Sequence, residues 1–216
     1  MGTSWRRGAF GLFLALAWGS RLPAADFALS DAELRRVEQR EVVIRASLDA
    51  NQRRGTVRAA MLIDAPPHVV FQLMTHCEDA LKYVPHLRLC RVQQRAADGS
   101  WQLVEHEIDF GWYAPRIQYV FRADFVTDRS IAFHQDHGDF KANEGVWEFE
   151  PADPADPAGH SERTLLRYRV FIDPPAYVPN WLARSTFKRE LPQMLADLRR
   201  RCEAEQRVRA QANARR

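Results

Sequence analysis

His106 is the side chain best placed to do chemistry. It lies in Trp101–Phe110, where Val104, His106, Ile108 and Phe110 alternate with Glu105, Glu107 and Asp109. The acidic face must be wet, so His106 points inward among apolar neighbours. An imidazole held there could serve as general acid or base toward a bound substrate, and if the chain is an enzyme His106 is the catalytic candidate. Cys90 could join it as a Cys–His nucleophile pair. No sequence signal brings the two together, however, and thiols in cores are usually inert.

A second group, His134, Asp136, His137 and Asp139, crowds one short segment. A metal site needs neutral imidazoles and ionised carboxylates converging on one ion. On a strand His134 and Asp136 share a face while His137 enters the loop at Gly138, so the segment reads as a solvated strand end and turn. No GxSxG, GxGxxG, P-loop or HExxH pattern occurs, and no cofactor is expected. Cys77, Cys90 and Cys202 show no CxxC spacing. Cys77 and Cys90 could pair in an oxidising compartment. With nothing to bring their Cβ atoms together, they read as separate small buried groups.

The elements that must position these residues follow from periodicity and punctuation. Residues 30–40 read as a short capped helix. Glu41–Leu48 and Arg54–Ile63 read as strands. Pro66-Pro67 opens a helix with Val69, Val70, Leu73 and Met74 on one face, and Cys77–Tyr83 is a second short helix. Strands follow at Leu87–Arg95, Trp101–Phe110, Ile117–Phe125, Ser130–Gln135, Asn143–Glu150 and Arg163–Phe171, joined by short turns that favour an antiparallel meander. Pro151–Ser161 reads as a loose hairpin tip. Phe187, Leu191, Met194, Leu195, Leu198 and Cys202 make one buried stripe of a terminal helix. Pro192 lies inside that stripe and should kink or break it. Past Cys202 the chain turns polar and Arg-rich and should fray.

Alternation also groups Tyr119 with Phe121, Ile131 with Phe133, Trp147 with Phe149, and Leu166 with Tyr168 and Val170. The result is an aromatic-rich interior with a few polar tips. Such an interior is either a ligand pocket or a closed core whose tips bond to backbone.

The length suits one domain with a sizeable core. Residues 1–25 differ from the rest. Arg6 and Arg7 precede an apolar run from Ala9 to Trp18, and Pro23-Ala24-Ala25 follows, the layout of a cleavable secretory signal. The run is shorter than the ~20 residues that span a bilayer. A periplasmic or secreted location is therefore expected. The chain has 31 basic and 28 acidic residues; without the leader's three arginines the two signs balance. That excludes nucleic acid as the expected partner, since it calls for a strongly basic face. The Arg199-Arg200-Arg201 run could make weak contact with an anionic membrane surface, although cations at a helix C-terminus are more simply a solvated end.

Ile63-Asp64-Ala65-Pro66-Pro67, Tyr83-Val84-Pro85, Gly138-Asp139-Phe140 leading to Gly145-Val146-Trp147, Thr164–Tyr168 and Pro179-Asn180-Trp181-Leu182 occur in an order that resembles the START-like helix-grip superfamily. Within it, the chain is most similar to the polyketide cyclase/dehydrase and coenzyme Q-binding START-type proteins. The resemblance implies an α+β helix-grip fold: a curved antiparallel sheet wrapped around a long C-terminal helix, with two short helices after an early strand. With the leader and the polar C-terminal end read above, the chain divides as 1–25 signal peptide, 26–53 N-terminal helix and extension strand, 54–202 ligand-binding domain, and 203–216 basic flexible tail. The resemblance also implies a deep apolar cavity for a small hydrophobic molecule such as a lipid, a quinone or a polyketide-like aromatic. Combined with the strand faces, this makes Val104, His106, Ile108, Tyr119, Phe121, Phe133, Trp147, Phe149, Leu166, Tyr168, Met194 and Leu198 the candidate ligand-binding residues. Three functions fit: a carrier, a cyclase or dehydratase, and a ligand-free interaction module.

Overall fold

The turn at Asp64–Pro67 is held from across the sheet. Thr164 is fully buried, and its Oγ1 donates to the Ala65 carbonyl at 2.7 Å. Pro67 then starts a helix at the position where a missing N–H costs nothing. This junction joins an early strand to the first of two short helices in a computed structural model that describes residues 27–112, 114–153 and 161–215. The leader reading falls on residues 1–25, outside the described residues, as does most of the Pro151–Ser161 hairpin tip.

The elements in chain order are α1 (Asp31–Glu38), β1 (Val43–Leu48), β2 (Gly55–Ile63), α2 (Pro67–Thr75), α3 (Cys77–Ala80), β3 (Leu87–Arg95), β4 (Trp101–Ile108), β5 (Ile117–Val126), β6 (Ser130–Gly138), β7 (Ala142–Pro151), β8 (Thr164–Asp173), α4 (Asn180–Ser185), a π-helical segment (Thr186–Glu190) and α5 (Leu191–Ala214). The strands form one eight-stranded antiparallel sheet in the order β1-β2-β8-β7-β6-β5-β4-β3. From β3 to β8 it is a meander; β8 then closes onto β2. Register shifts in β3 against β4 and in β5 against β6 add bends that curl the sheet. This is the α+β helix-grip architecture.

The concave face packs on α2 and α5. Leu195, Leu198 and Cys202 of α5 meet Met61 and Ile63 of β2, Leu166 of β8, and Val69 and Val70 of α2, all at most 1% exposed. Phe71 extends the expected α2 face, meeting Phe125 and Phe149 edge-on with centroids 5.9 Å apart. On the convex face, under α1, Phe27, Val37, Val43, Ala60 and Leu62 form a separate small core. The N-terminal extension strand is integral to the sheet, because β1 pairs along its whole length with β2. A Ser30–Glu33 capping box starts α1.

Two expectations about the C-terminal helix change. Pro192 does not break the helix where it stands. It occupies the first turn of α5, and the accommodation lies just upstream, where the Leu191 N–H reaches the Thr186 carbonyl in a π turn. The wider turn spaces the backbone around the carbonyl that the proline ring would crowd and whose donor it lacks. Past Cys202 the chain is not a frayed tail. Helix α5 continues to Ala214, tied by Glu203 to Arg40, Gln206 to Glu162 and Arg209 to Gln72. The arginine run is engaged as well: Arg199 donates to the Arg40 carbonyl, Arg200 pairs with Asp197 and Arg201 faces Asp79. No helix among the described residues is long and apolar enough to cross a membrane.

Cys77 and Cys90, read as separate buried groups, are joined in a disulfide with Cα atoms 5.4 Å apart. The cause is tertiary. Helix α3 begins at Cys77 directly after α2 and packs on β3, which sets its first residue opposite Cys90. Cys202 stays a free, buried thiol, pushed up to about 12 by burial and therefore inert.

Leu198 is fully buried where α5 meets the sheet. Leu198→Ala should lower unfolding free energy by about 2–5 kcal/mol in urea titration, whereas Val208→Ala, on the exposed side of the same helix, should change it by less than about 0.5 kcal/mol.

Candidate ligand-binding site

Between the curled sheet, α2–α3 and the start of α5 lies a cavity of about 300 Å³. Strand β4 contributes Val104, His106 and Ile108; β5 contributes Tyr119, Phe121 and Ala123; β6 contributes Phe133. Trp147 comes from β7, Tyr168 and Val170 from β8, and Met194 from α5. Nine of the twelve sequence candidates thus line one cavity. Phe149, Leu166 and Leu198 do not: they are 2%, 1% and 0% exposed in the packed layer beside the cavity. Phe149 and Leu166 face inward as strand alternation predicts and Leu198 lies on the buried stripe of α5, but all three sit at the dense end of the cup.

The wall is built by cross-strand register. Cys90, His106 and Tyr119 are successive partners across β3, β4 and β5, and Gly138 completes the row on β6. A second row sets Ala123 against Phe133 and Phe133 against Gly145. Gly145 is required there, since a Cβ would lie 2.7 Å from the Phe133 ring and 2.2 Å from the Arg169 carbonyl oxygen. Trp147 and Tyr168, paired across β7 and β8, stack with centroids 3.6 Å apart. Phe121 meets Phe133 edge-on at 6.2 Å. These stiff rings line the hollow with few rotatable bonds.

The polar centre of the wall is His106, 8% exposed. Its Nδ1 lies 3.0 Å from Tyr119 Oη and its Nε2 lies 3.2 Å from Cys90 Sγ. A disulfide sulfur carries no hydrogen and can only accept. Both contacts are therefore satisfied by one tautomer: Nε2–H donates to sulfur, and Nδ1 accepts from the Tyr119 hydroxyl. Burial pushes the His106 imidazolium down to about 4, so the ring is neutral near pH 7. Burial likewise pushes the Tyr119 and Tyr168 hydroxyls up, keeping them protonated. The Cys90–His106 pair considered from sequence is thus adjacent in space, but its sulfur is spent in the disulfide and is no nucleophile.

Further polar groups on the wall escaped the strand-face reading. Gln102, Asn143, Thr186 and Glu190 also line the cavity. Thr186 and Glu190 belong to the π segment, where the Thr186 hydroxyl donates to Glu190 Oε2 at 3.3 Å and Glu190 Oε1 lies 3.7 Å from His86 Nε2. The prolines around this segment signal an irregular helix, but not which side chains it turns inward. His134, Asp136, His137 and Asp139 do not converge: His137 Nδ1 pairs with Asp136 at the surface and Asp139 accepts from the Gln118 backbone.

The buried neutral imidazole makes stability depend on pH. The unfolded chain binds a proton near the ordinary histidine value of about 6.5, whereas the folded chain does so only near 4. Between these values the unfolded state holds more protons. This contribution to stability is complete above about pH 6.5 and is lost as pH falls toward 4, reaching about 3 kcal/mol. Urea titrations across that range should show the slope in the wild type and a flattened slope in His106→Gln.

A family model described as polyketide cyclase / dehydrase and lipid transport matches residues 63–199, well over half of the chain. No curated protein matches the sequence. Solved structures share the fold at low identity. Human STARD10 superposes with a TM-score of 0.60 at 9% identity, covering 74% of this chain and 69% of that one. A STAR-related lipid transfer protein from Xanthomonas axonopodis gives 0.58 at 13%, covering 74% and 93%. A START superfamily protein from Mycobacterium smegmatis gives 0.56 at 15%, covering 69% and 97%. With its cupped sheet, gripped helix and matched sequence span, the chain belongs to the polyketide cyclase/dehydrase and lipid transport family of START-like proteins.

Proposed function

We propose that this protein is a binding or carrier protein that holds one hydrophobic molecule, a lipid, a quinone or a polyketide-like aromatic, in the cavity beneath α5. The observation that carries this reading is the hollow itself: about 300 Å³ walled mainly by aromatic and aliphatic side chains, with a few hydrogen-bonding groups, His106 and Tyr119 among them. Ligand sites generally combine an apolar enclosure with a few convergent polar groups. Affinity would come from the ligand's apolar surface leaving water, at about 25 cal/mol per Å² before ordering costs. The Tyr119 and Tyr168 hydroxyls would orient a polar head, with His106 holding the Tyr119 hydroxyl in place. Residues 1–25 carry the features of an export signal, so the proposal includes work outside the cytoplasm.

A cyclase or dehydratase on the same scaffold is the second reading, favoured by one feature, an imidazole on the cavity wall. Two observations weigh against it. A ring whose conjugate acid is pushed down to about 4 is a weak base at neutral pH. Both of its nitrogens are also already engaged, by Tyr119 and by the disulfide. The open volume likewise argues against a ligand-free module, whose aromatic side chains would fill the interior.

Native mass spectrometry with lipid extraction of the purified full chain tests the reading. A stoichiometric apolar compound should accompany the wild type and be absent from Ala123→Phe, which adds bulk to the wall. Empty protein that also fails to take up fluorescent fatty acyl, quinone and polycyclic aromatic probes would refute the carrier. His106→Ala should weaken binding by about tenfold or less, the worth of one hydrogen bond. An enzyme would instead keep its binding and lose turnover.

A further inference from the structure

Cys77, Cys90 and His106 come from α3, β3 and β4, and no spacing in the sequence links them. In the folded chain their two sulfurs and one ring nitrogen all lie within 4.8 Å of one another. All three residues line the cavity. Two sulfurs and one imidazole, with no carboxylate, form a donor set suited to a thiophilic cation. Zinc sites that keep an open position use three protein ligands, Cys₂His among them.

In the disulfide form neither sulfur is an effective ligand, because a thiolate is what binds metal. We propose that reduction of the Cys77–Cys90 disulfide converts this part of the cavity wall into a Cys₂His site for a thiophilic d¹⁰ cation of the Zn²⁺ class, with the fourth position open to the cavity. The exchange balances with an external dithiol as reductant. The dithiol gives up two electrons and two protons and becomes a disulfide, the Cys77–Cys90 bond breaks, and each sulfur becomes a thiol. The cation then displaces both thiol protons into solvent. Two thiolates and one divalent cation form a neutral unit, suited to an apolar wall. His106 would bind through Nε2, the nitrogen that faces Cys90, and its proton would sit on Nδ1 and be donated to Tyr119 Oη, 3.0 Å away. That hydroxyl is the outer partner that orients a ligating imidazole. A ligand bearing an oxygen, nitrogen or sulfur donor could complete the coordination from the cavity side. The inference rests on the cluster alone and stands whatever molecule fills the hollow.

Cobalt provides the readout, since tetrahedral Co²⁺ bound to thiolate shows intense visible d–d bands and near-ultraviolet charge transfer. The full chain is reduced anaerobically with a phosphine, freed of reductant and titrated with Co²⁺, then with Zn²⁺. One equivalent should bind with the tetrahedral spectrum and be displaced by Zn²⁺, while the oxidised chain should give no such spectrum. Cys90→Ser should abolish the spectrum, His106→Ala should weaken binding by at least about tenfold, and Cys202→Ala should leave it unchanged. Should His106→Ala fail to fold, His106→Gln takes its place. Should reduction unfold the chain, recovery of its far-ultraviolet circular dichroism on adding Zn²⁺ supports the site, and failure to recover overturns it. A folded, reduced chain without tetrahedral Co²⁺ bands, or one whose binding is indifferent to both His106 variants, also overturns it.

Discussion

The grip between one stripe of α5 and the β2–β8 face supports everything else in this protein. Leu195, Leu198 and Cys202 bury themselves against Met61, Ile63 and Leu166 with essentially no residual exposure. That contact uses only part of the helix and only one end of the cup. The sheet curls away from the rod toward β3–β6, and the side chains there cannot reach across. Dense packing at one end and a hollow at the other are thus two results of a helix lying against a curved surface. Overfilling the hollow, or flattening the sheet, would cost the contact that holds the helix in place.

The hollow persists because its wall is stiff. Rings locked in cross-strand rows, the Trp147–Tyr168 stack and the Phe133 ring over Gly145 have few alternative rotamers with which to fill the space. The polar centre is equally constrained. His106 is neutral, and both of its nitrogens have partners, so it fixes the Tyr119 hydroxyl on the wall without adding a charge that the apolar surroundings would penalise.

Much of this was legible in the sequence, and the limits are physical. Alternation put Val104, His106 and Ile108 on the inner face of β4, where they are found. Strand alternation and helical spacing alike report a face but not a depth along the cup, which is why Phe149, Leu166 and Leu198 lie in the packed layer instead of on the cavity wall. The disulfide needed the docking of α3 on β3, and the meeting of Cys90 with His106 needed the β3–β4 register, which depends on a bulge between Val92 and Gln94. Pro192 marked an irregular helix but not its form, a π turn placed one step upstream. The order of residues 203–214 comes from partners far away in sequence, Arg40, Glu162 and Gln72, which no local pattern can reveal.

The π turn joins two lengths of rod with different attachments. Below it, α5 is seated in the main core. Above it, α4 rests through Leu182 and Ala183 on a separate cluster with Phe110, Ile117 and Phe140, and Arg53 clasps the approach to it through the Pro175 and Val178 carbonyls. Yielding at Thr186–Glu190 therefore would not require unseating Leu195 or Leu198. Residence time beneath the rod would then be set by a local opening with its own free energy. Traffic in and out could be fast in a protein whose global unfolding is slow.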